Sequence, residues 1–199
     1  MQATPTMDQI ELTLYDLFAA NKTRLFTARD SEWTDFFFDV FSDPALLGPD
    51  AAHSYCRARG DSHAFGGVAR REGRAGEFLW DLCWFPDWPF TPGCYREQPL
   101  TRRLPLVLES EWGKATSMEE NDSEVLYDFA KILHARAERK VMIFGFHEVA
   151  WHDFTALSNR MVEAIRATSD TESEYLFVGV QYHWEADADP LRTRVYLTA

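Results

Sequence analysis

The chain has 199 residues, a formal net charge of −12 at pH 7, and a composition that is 46% hydrophobic, 15% aromatic and 26% charged. That is ample apolar material for a sizeable core in one domain, 1–199, and the charged share is that of an ordinary globular protein. The acidity argues against attraction of the whole protein to DNA, RNA or anionic membranes, because such affinity comes mostly from neutralising phosphates.

In chain order, residues 1–7 read as a loose leader. Ile10, Leu12, Leu14, Leu17 and Phe18 then predict an amphipathic helix from Asp8 to about Asn21. A second helix opens at Asp30 or Ser31, carries Trp33, Phe36, Phe37, Phe38, Val40 and Phe41, and stops at Asp43-Pro44. Its aromatic residues cover more than one stripe, which predicts burial on two sides. Pro49 and Asp50 begin a short predicted helix through Arg59, stopped by Gly60.

A first strand is predicted over Ser62–Arg70, with a Gly- and Arg-rich turn to Gly76. Glu77–Phe85 follows as a second strand. Pro86 to Tyr95 forms an irregular loop anchored by Trp88, Phe90 and Tyr95, and Leu104–Trp112 is a third strand. Ser123 is expected to cap a helix ending near Arg139. Its apolar face is Val125, Leu126, Phe129, Ile132 and Leu133, and its polar face carries Asp128 and Lys131. Lys140–Phe146 reads as a buried strand and Phe154–Thr168 as a helix. Tyr175–Tyr182 reads as a strand and Arg192–Thr198 as a last strand at a sheet edge. A strand–helix–strand unit in the middle implies parallel pairing, whereas the strands before it read as an antiparallel meander. The fold class is α/β with a mixed β-sheet flanked by helices. N-terminal helices occupy 1–60, a core 61–146, and a C-terminal helix and strands 147–199.

The strand acids carry the functional signal. Residues two apart on a strand share a face, so Glu109 and Glu111 point the same way, and Asp81 shares a face with Glu77, Leu79 and Cys83. An ionised carboxylate in an apolar strand is costly unless it is paired, hydrogen-bonded or bound to a metal. One reading is a divalent metal site with Asp81, Glu109 and Glu111 as its ligands. The other is a solvated face for Glu109 and Glu111, with Asp81 paired to Arg102 or Arg103. Three cysteines, Cys56, Cys83 and Cys94, are odd in number and lack CxxC spacing, which points to a reducing compartment with Cys83 as a small buried hydrophobe. No signal-peptide core and no run of about 18 apolar residues is present, so the expected location is cytoplasmic with no membrane partner.

The element order, together with Asp81, Glu109-Ser110-Glu111 and the helix bearing Lys131, resembles the PD-(D/E)XK nuclease-like superfamily, the restriction-endonuclease-like fold. That core is a helix, a three-strand meander, a crossover helix and a further strand. The stretches Asp128–Leu133 and Ala137–Phe144 are also similar to uncharacterised bacterial proteins of this fold. The resemblance implies that Asp81 and Glu109 bind Mg²⁺, with Mn²⁺ as substitute, for phosphodiester hydrolysis. Glu111 stands where the family usually has lysine, an acid-x-acid variant, and Lys131 lies where some members relocate a functional lysine. Glu32 or Asp35 either adds a ligand or faces solvent. A nuclease-fold interaction or regulatory module without catalysis is the alternative. Nucleic acid as partner is disfavoured by net charge but has local basic patches at Arg57 and Arg59, Arg70 to Arg74, and Arg102 with Arg103. A protein partner or homo-oligomer remains open.

Other constellations are weaker. His147 and His152, with Glu148 and Asp153 nearby, form either a zinc site without HExxH spacing or a polar surface loop. Trp84, Trp88 and Phe90 either stack bases or sugars or plug the core.

Overall fold

In a computed structural model of the chain, the described residues are 5–57, 63–65, 80–84, 103–112, 117–149, 151–168, 170–185 and 187–198, with backbone only for 52–57 and 63–65. The predicted features over Glu77–Leu79, the loop carrying Trp88, Phe90, Cys94 and Tyr95, and Arg59, Arg70, Arg74 and Arg102 lie outside them, as do the side chains of Cys56 and Arg57.

Helix α1 runs Met7–Phe26 and α2 runs Asp30–Phe41. The first starts one residue before the predicted Asp8, where Thr6 and Gln9 close a capping box, and runs five residues past the predicted end at Asn21. The α2 bounds agree with the predicted ones, and Glu32 accepts a hydrogen bond from the Arg29 N–H at 2.8 Å. After a short α3, Pro44–Leu47, the predicted helix over 49–59 is replaced by a 3-10 turn at Pro49–His53 and strand β1, Ser54–Arg57. The physical reason is pairing. β1 is hydrogen-bonded along one edge to β2, His63–Phe65, and along the other to β3, Leu82–Trp84. A ten-residue isolated helix has no comparable support.

Strand β4, Leu104–Glu111, leads through α4, Met118–Leu133, to β5, Ala137–Phe146. Then come α5, Phe154–Ala167, β6, Glu174–Gln181, and β7, Leu191–Leu197. The described strands form one mixed sheet in the order β2-β1-β3-β4-β5-β6-β7. β4, β5 and β6 are parallel, whereas β1, β3 and β7 are antiparallel to their neighbours. The mixed α/β class and the parallel β4–α4–β5 unit agree with the sequence reading, and β7 sits at the predicted edge. The simple meander does not hold, because the strand next to β3 is β1, with β2 outside it.

The α4 boundaries also shift. Ser117 is the cap, accepting from the Glu120 N–H, while Ser123 lies inside the helix and donates to Glu119 O at 2.8 Å. The helix stops at Leu133 although Ala135, Ala137 and Glu138 favour continuing it. The chain there is taken into the sheet, with Leu104 N donating to Arg136 O and Lys140 Nζ donating to Leu133 O at 3.0 Å.

Alternation along the strands builds two apolar layers. Leu82, Trp84, Leu106, Leu108, Val141, Ile143, Leu176 and Val178 pack with α1 and α2. Cys83, Val107, Met142, Phe144 and Phe177 pack with Val125, Phe129 and Ile132 of α4 and with Leu157, Met161 and Ile165 of α5. Trp84 is fully buried and donates its indole N–H to Phe41 O at 2.7 Å, so it is core rather than a stacking platform. Among the described residues, no helix is long and apolar enough to cross a membrane.

Gly145 of β5 marks a close approach. A Cβ there would lie 2.1 Å from the ring end of Tyr182, whose hydroxyl donates to Trp112 O. Gly145→Ala is therefore expected to cost about 1–3 kcal/mol, read as a lowered urea midpoint with unchanged slope.

Candidate functional site

Antiparallel pairing sets Leu82 opposite Leu108, so the residue before β3, Asp81, falls beside Glu109 on β4. The odd-numbered side chains of β4 face α4, as the shared layer of Val107 with Val125 and Phe129 shows. Glu109 is thereby carried under the helix and is only 2% exposed. The solvated-face reading of Glu109 is overturned by that burial.

Asp81 sits just ahead of the strand, and its Oδ2 accepts from Ser110 N at 2.9 Å and Ser110 Oγ at 3.0 Å. Arg103 is elsewhere: it bonds Glu172, Ala137 O and Ser173 Oγ. From α4, Lys131 comes to 3.8 Å from Glu109 Oε2 and forms an ion pair with Asp128, three residues back on the same helix face. Trp80 donates its indole N–H to Lys131 O at 3.4 Å, tying the segment before β3 to the helix.

The electrostatics follow from this crowding. Burial first, then the neighbouring Asp81 and Asp128 charges and a hydrogen bond shared with Asp81, push the Glu109 carboxyl up to about 9 against the opposing pull of Lys131. Burial works against the Lys131 ammonium, but Asp128, Glu109 and Asp81 outweigh it and hold its pKa above the ordinary value. Glu109 Oε1 is buried with no hydrogen-bond partner. An oxygen of that kind is a place for a cation, because a buried acceptor left unmet costs about 1–3 kcal/mol.

Glu111 goes to a different place. With Glu120, Ser123, Glu124, Tyr127 and Asp128 it lines an open cleft of about 380 Å³ along α4. Among the described residues, no group of three or more His, Cys, Asp or Glu is arranged to hold a metal ion. The structure thus unites Asp81, Glu109 and Lys131, adds Asp128, and sets Glu111 on the adjoining cleft wall. Glu32 belongs to α2, which packs against the other layer of the sheet.

A second polar cluster lies at the carboxyl ends of the parallel strands. His152 Nδ1 is 2.9 Å from Asp122 Oδ2, and Arg160 Nη1 donates to the same oxygen at 3.1 Å. His147 instead packs against Tyr182, with centroids 4.8 Å apart and the ring planes tilted by 37°, and burial and then His183 lower its pKa. The two histidines are therefore held by different partners. Asp122 falls outside the helix predicted from Ser123 but inside α4, whose start the Ser117–Glu120 spacing signals.

A third cluster has no sequence signature. Lys140 of β5 is 2% exposed, and its Nζ donates to Asp170 Oδ2 at 2.6 Å and to Tyr175 OH at 3.1 Å. It reads in sequence as the first residue of an apolar run. No family model, curated protein or solved structure matches the chain.

Proposed function

We propose that the chain has a restriction-endonuclease-like core and that Asp81, Glu109 and Lys131 form a divalent-cation-dependent phosphodiester hydrolysis centre. The observation that carries this reading is Glu109: a carboxyl 2% exposed, beside a second carboxylate, with one oxygen lacking a hydrogen-bond partner. Two neighbouring acids and a lysine reaching in from the crossover helix match the acid, acid and relocated lysine that the resemblance implies. The strand order β1-β3-β4-β5, with β3 antiparallel to both neighbours and β4 parallel to β5, supports the same core.

Asp81 and Glu109 are the residues that would hold Mg²⁺ or Mn²⁺, which prefer hard oxygen ligands and accept a few carboxylates plus waters. A bound divalent cation supplies charge stabilisation to the phosphate and a lowered pKa to a water. Ser110 fixes the Asp81 carboxylate through two hydrogen bonds. Asp128 holds the Lys131 ammonium charged and aimed at Glu109, where it can neutralise developing negative charge. Glu111, on the cleft wall, is the proton acceptor of this scheme.

The second reading, a nuclease-fold module without catalysis, is favoured by the cleft, whose walls carry Glu111, Glu120, Glu124 and Asp128. Such walls repel a nucleic-acid backbone and suit a basic protein partner. The deciding experiment is cleavage of single- and double-stranded DNA and RNA in Mg²⁺ or Mn²⁺. Wild type should cleave, with at least a 10²-fold loss in Glu109→Ala and in Lys131→Met. Equal rates in wild type and Glu109→Ala, or no cleavage by either, would leave the module.

A further inference from the structure

Strand β7 lies at the opposite side of the sheet from β2. Its inner edge is taken by β6, in an antiparallel register that runs unbroken from Glu174 opposite Leu197 to Val180 opposite Leu191. Gln181 N donates to Pro190 O at 3.0 Å and Thr198 N to Ser173 O at 3.4 Å. Both bonds fall on even-numbered residues of the β7 segment, and an antiparallel ladder alternates. The backbone groups of Leu191, Thr193, Val195 and Leu197 therefore point away from β6. Leu191 is satisfied by its own chain: its N–H donates to Asp189 Oδ1 at 3.2 Å, and its carbonyl accepts from Arg192 Nη1 at 2.9 Å. Among the described residues, nothing meets the N–H or C=O of Thr193, Val195 or Leu197.

Strand edges are ordinarily blunted by a proline, a bulge, a very short strand or charges held across the edge. β7 runs seven residues, Leu191–Leu197, with no proline and no bulge. Its arginines are turned back onto their own protomer. Arg192 Nη1 also donates to Asp189 O at 2.6 Å, and Arg194 Nη1 donates to Ser158 Oγ at 3.1 Å and Asn159 Oδ1 at 2.7 Å on α5. Two exposed leucines flank the edge on the α1 side of the sheet. Leu197 at the strand end is 60% exposed and Leu12 of α1 is 64% exposed. Thr193 Oγ1 meets Glu11 Oε1 and, at 3.2 Å, Tyr15 OH, so this part of α1 lies over Thr193. Around the helix from the buried Ile10 and Leu14, Glu11 and Tyr15 come first and Leu12 next, beyond them from the core.

We propose that β7 pairs antiparallel with β7 of a second copy about a two-fold axis at Val195, so that the sheet continues through a homodimer. The pairing is independent of the Asp81–Glu109 centre, from which β5 and β6 separate it. A two-fold axis normal to the sheet makes the new pair antiparallel and keeps each face on its own side. The edge itself selects the register. Centred at Val195, two backbone bonds join the Val195 pair and two more join each Thr193 to the partner's Leu197, so all three outward-facing residues are satisfied. The intervening pairs set Arg194 opposite the partner's Tyr196, a cation beside an aromatic ring. The partner's Leu197 arrives opposite Thr193, on the α1 side, where Leu12 is exposed, and this apolar contact forms twice. Centring at Thr193 instead sets Arg192 opposite the partner's Arg194 and offers Val195 the occupied groups of Leu191. Centring at Leu197 runs Thr193 past the end of the partner's strand. An extended peptide of another protein satisfies the backbone alone, whereas a second copy also brings Leu197 to Leu12.

The test is sedimentation equilibrium of the full chain over a micromolar to submillimolar series, with amide hydrogen exchange at both ends of it. Wild type should pass from monomer to dimer, and the amides of Thr193, Val195 and Leu197 should gain protection as it does. Val195→Pro removes an N–H that serves only the outer edge, and should raise the dissociation constant at least about 10-fold. Leu12→Lys and Leu197→Lys, both at exposed positions, should weaken the dimer too. Leu46→Lys, on α3 and 39% exposed, should leave it unchanged. A monomer throughout the series overturns the proposal, as does a dimer that Leu12→Lys and Leu197→Lys leave intact or that Leu46→Lys weakens equally. A dimer without added protection at the three amides overturns it as well. If Val195→Pro does not fold by circular dichroism, the lysine variants and the exchange pattern decide.

Discussion

Asp170→Ala is expected to destabilise the protein by about 3–5 kcal/mol, a fall of roughly 10 °C in Tm for a chain of this size. The reason is the charge it would strand. Lys140 is 2% exposed on the central strand β5, and its ammonium is met by Asp170 Oδ2 at 2.6 Å, Tyr175 OH at 3.1 Å and Leu133 O at 3.0 Å. Burial lowers the Lys140 pKa, and the Asp170 contact opposes this. Without Asp170 the ammonium keeps two neutral acceptors and no counter-charge. Replacing both partners, Lys140→Met with Asp170→Leu, should recover part of the loss, since an apolar pair of similar volume carries no desolvation penalty. A double-mutant cycle by urea unfolding measures the coupling; additive single losses would show that the pair is not the source.

The same pair sets an acid limb. Burial raises the Asp170 pKa, but hydrogen bonds from Lys140, Ser173, Tyr175 and the Glu172 N–H overcome it and hold the carboxyl well below the usual carboxylate range. The folded pKa is depressed, so this stabilisation is fully present above the ordinary Asp value near 3.9 and is lost as pH falls through the folded value. Wild type should therefore lose stability below about pH 4 more steeply than Asp170→Asn does.

The second large effect belongs to Glu109. With its pKa pushed up to about 9, the carboxyl holds its proton at neutral pH when no cation is present. The folded state then binds one more proton than the unfolded chain between the ordinary Glu value near 4.3 and about 9, so stability falls as pH rises across that window. For one proton the slope is at most about 1.4 kcal/mol per pH unit. Glu109→Gln, a neutral near-isostere, should remove that component and be the more stable protein at pH 7–9 in EDTA. Urea unfolding at pH 5, 7 and 9 reads the difference; equal pH slopes in the two proteins would refute it. On the proposed function, Mg²⁺ or Mn²⁺ uptake at pH 7 should release about one proton, because the ligand must be ionised. Calorimetry in two buffers of different ionisation enthalpy measures this, and Glu109→Gln should bind neither ion. Cation binding that survives Glu109→Gln would place the ligands elsewhere.

The sequence by itself determined the mixed α/β class and singled out acids that the fold brings side by side. Continuous apolar runs mark β4, β5 and β6 because both of their faces are covered, and the period of 3.6 marks α4 and α5 because each buries one face against the sheet. That Glu109 and Glu111 share a face follows from alternation along β4, whereas the packing of that face under α4 and the register that sets Asp81 beside Glu109 come from the fold. Lys131 was legible as a polar-face residue of α4, although the helix starts and ends about six residues earlier than its Ser123 and Arg139 suggest.

Only the tertiary structure decided the rest. β1 is a strand because two neighbours complete its backbone hydrogen bonds, and no local propensity reports that. Lys140 and Asp170 are thirty residues apart, and His152 and Asp122 likewise, so neither pairing has a spacing to read. The depth of Glu109 and the departure of Glu111 to the cleft wall both depend on where α4 lies across β4. Alternation fixes which face a side chain leaves from, whereas burial, and with it the proton on Glu109, is fixed by what the fold lays over that face.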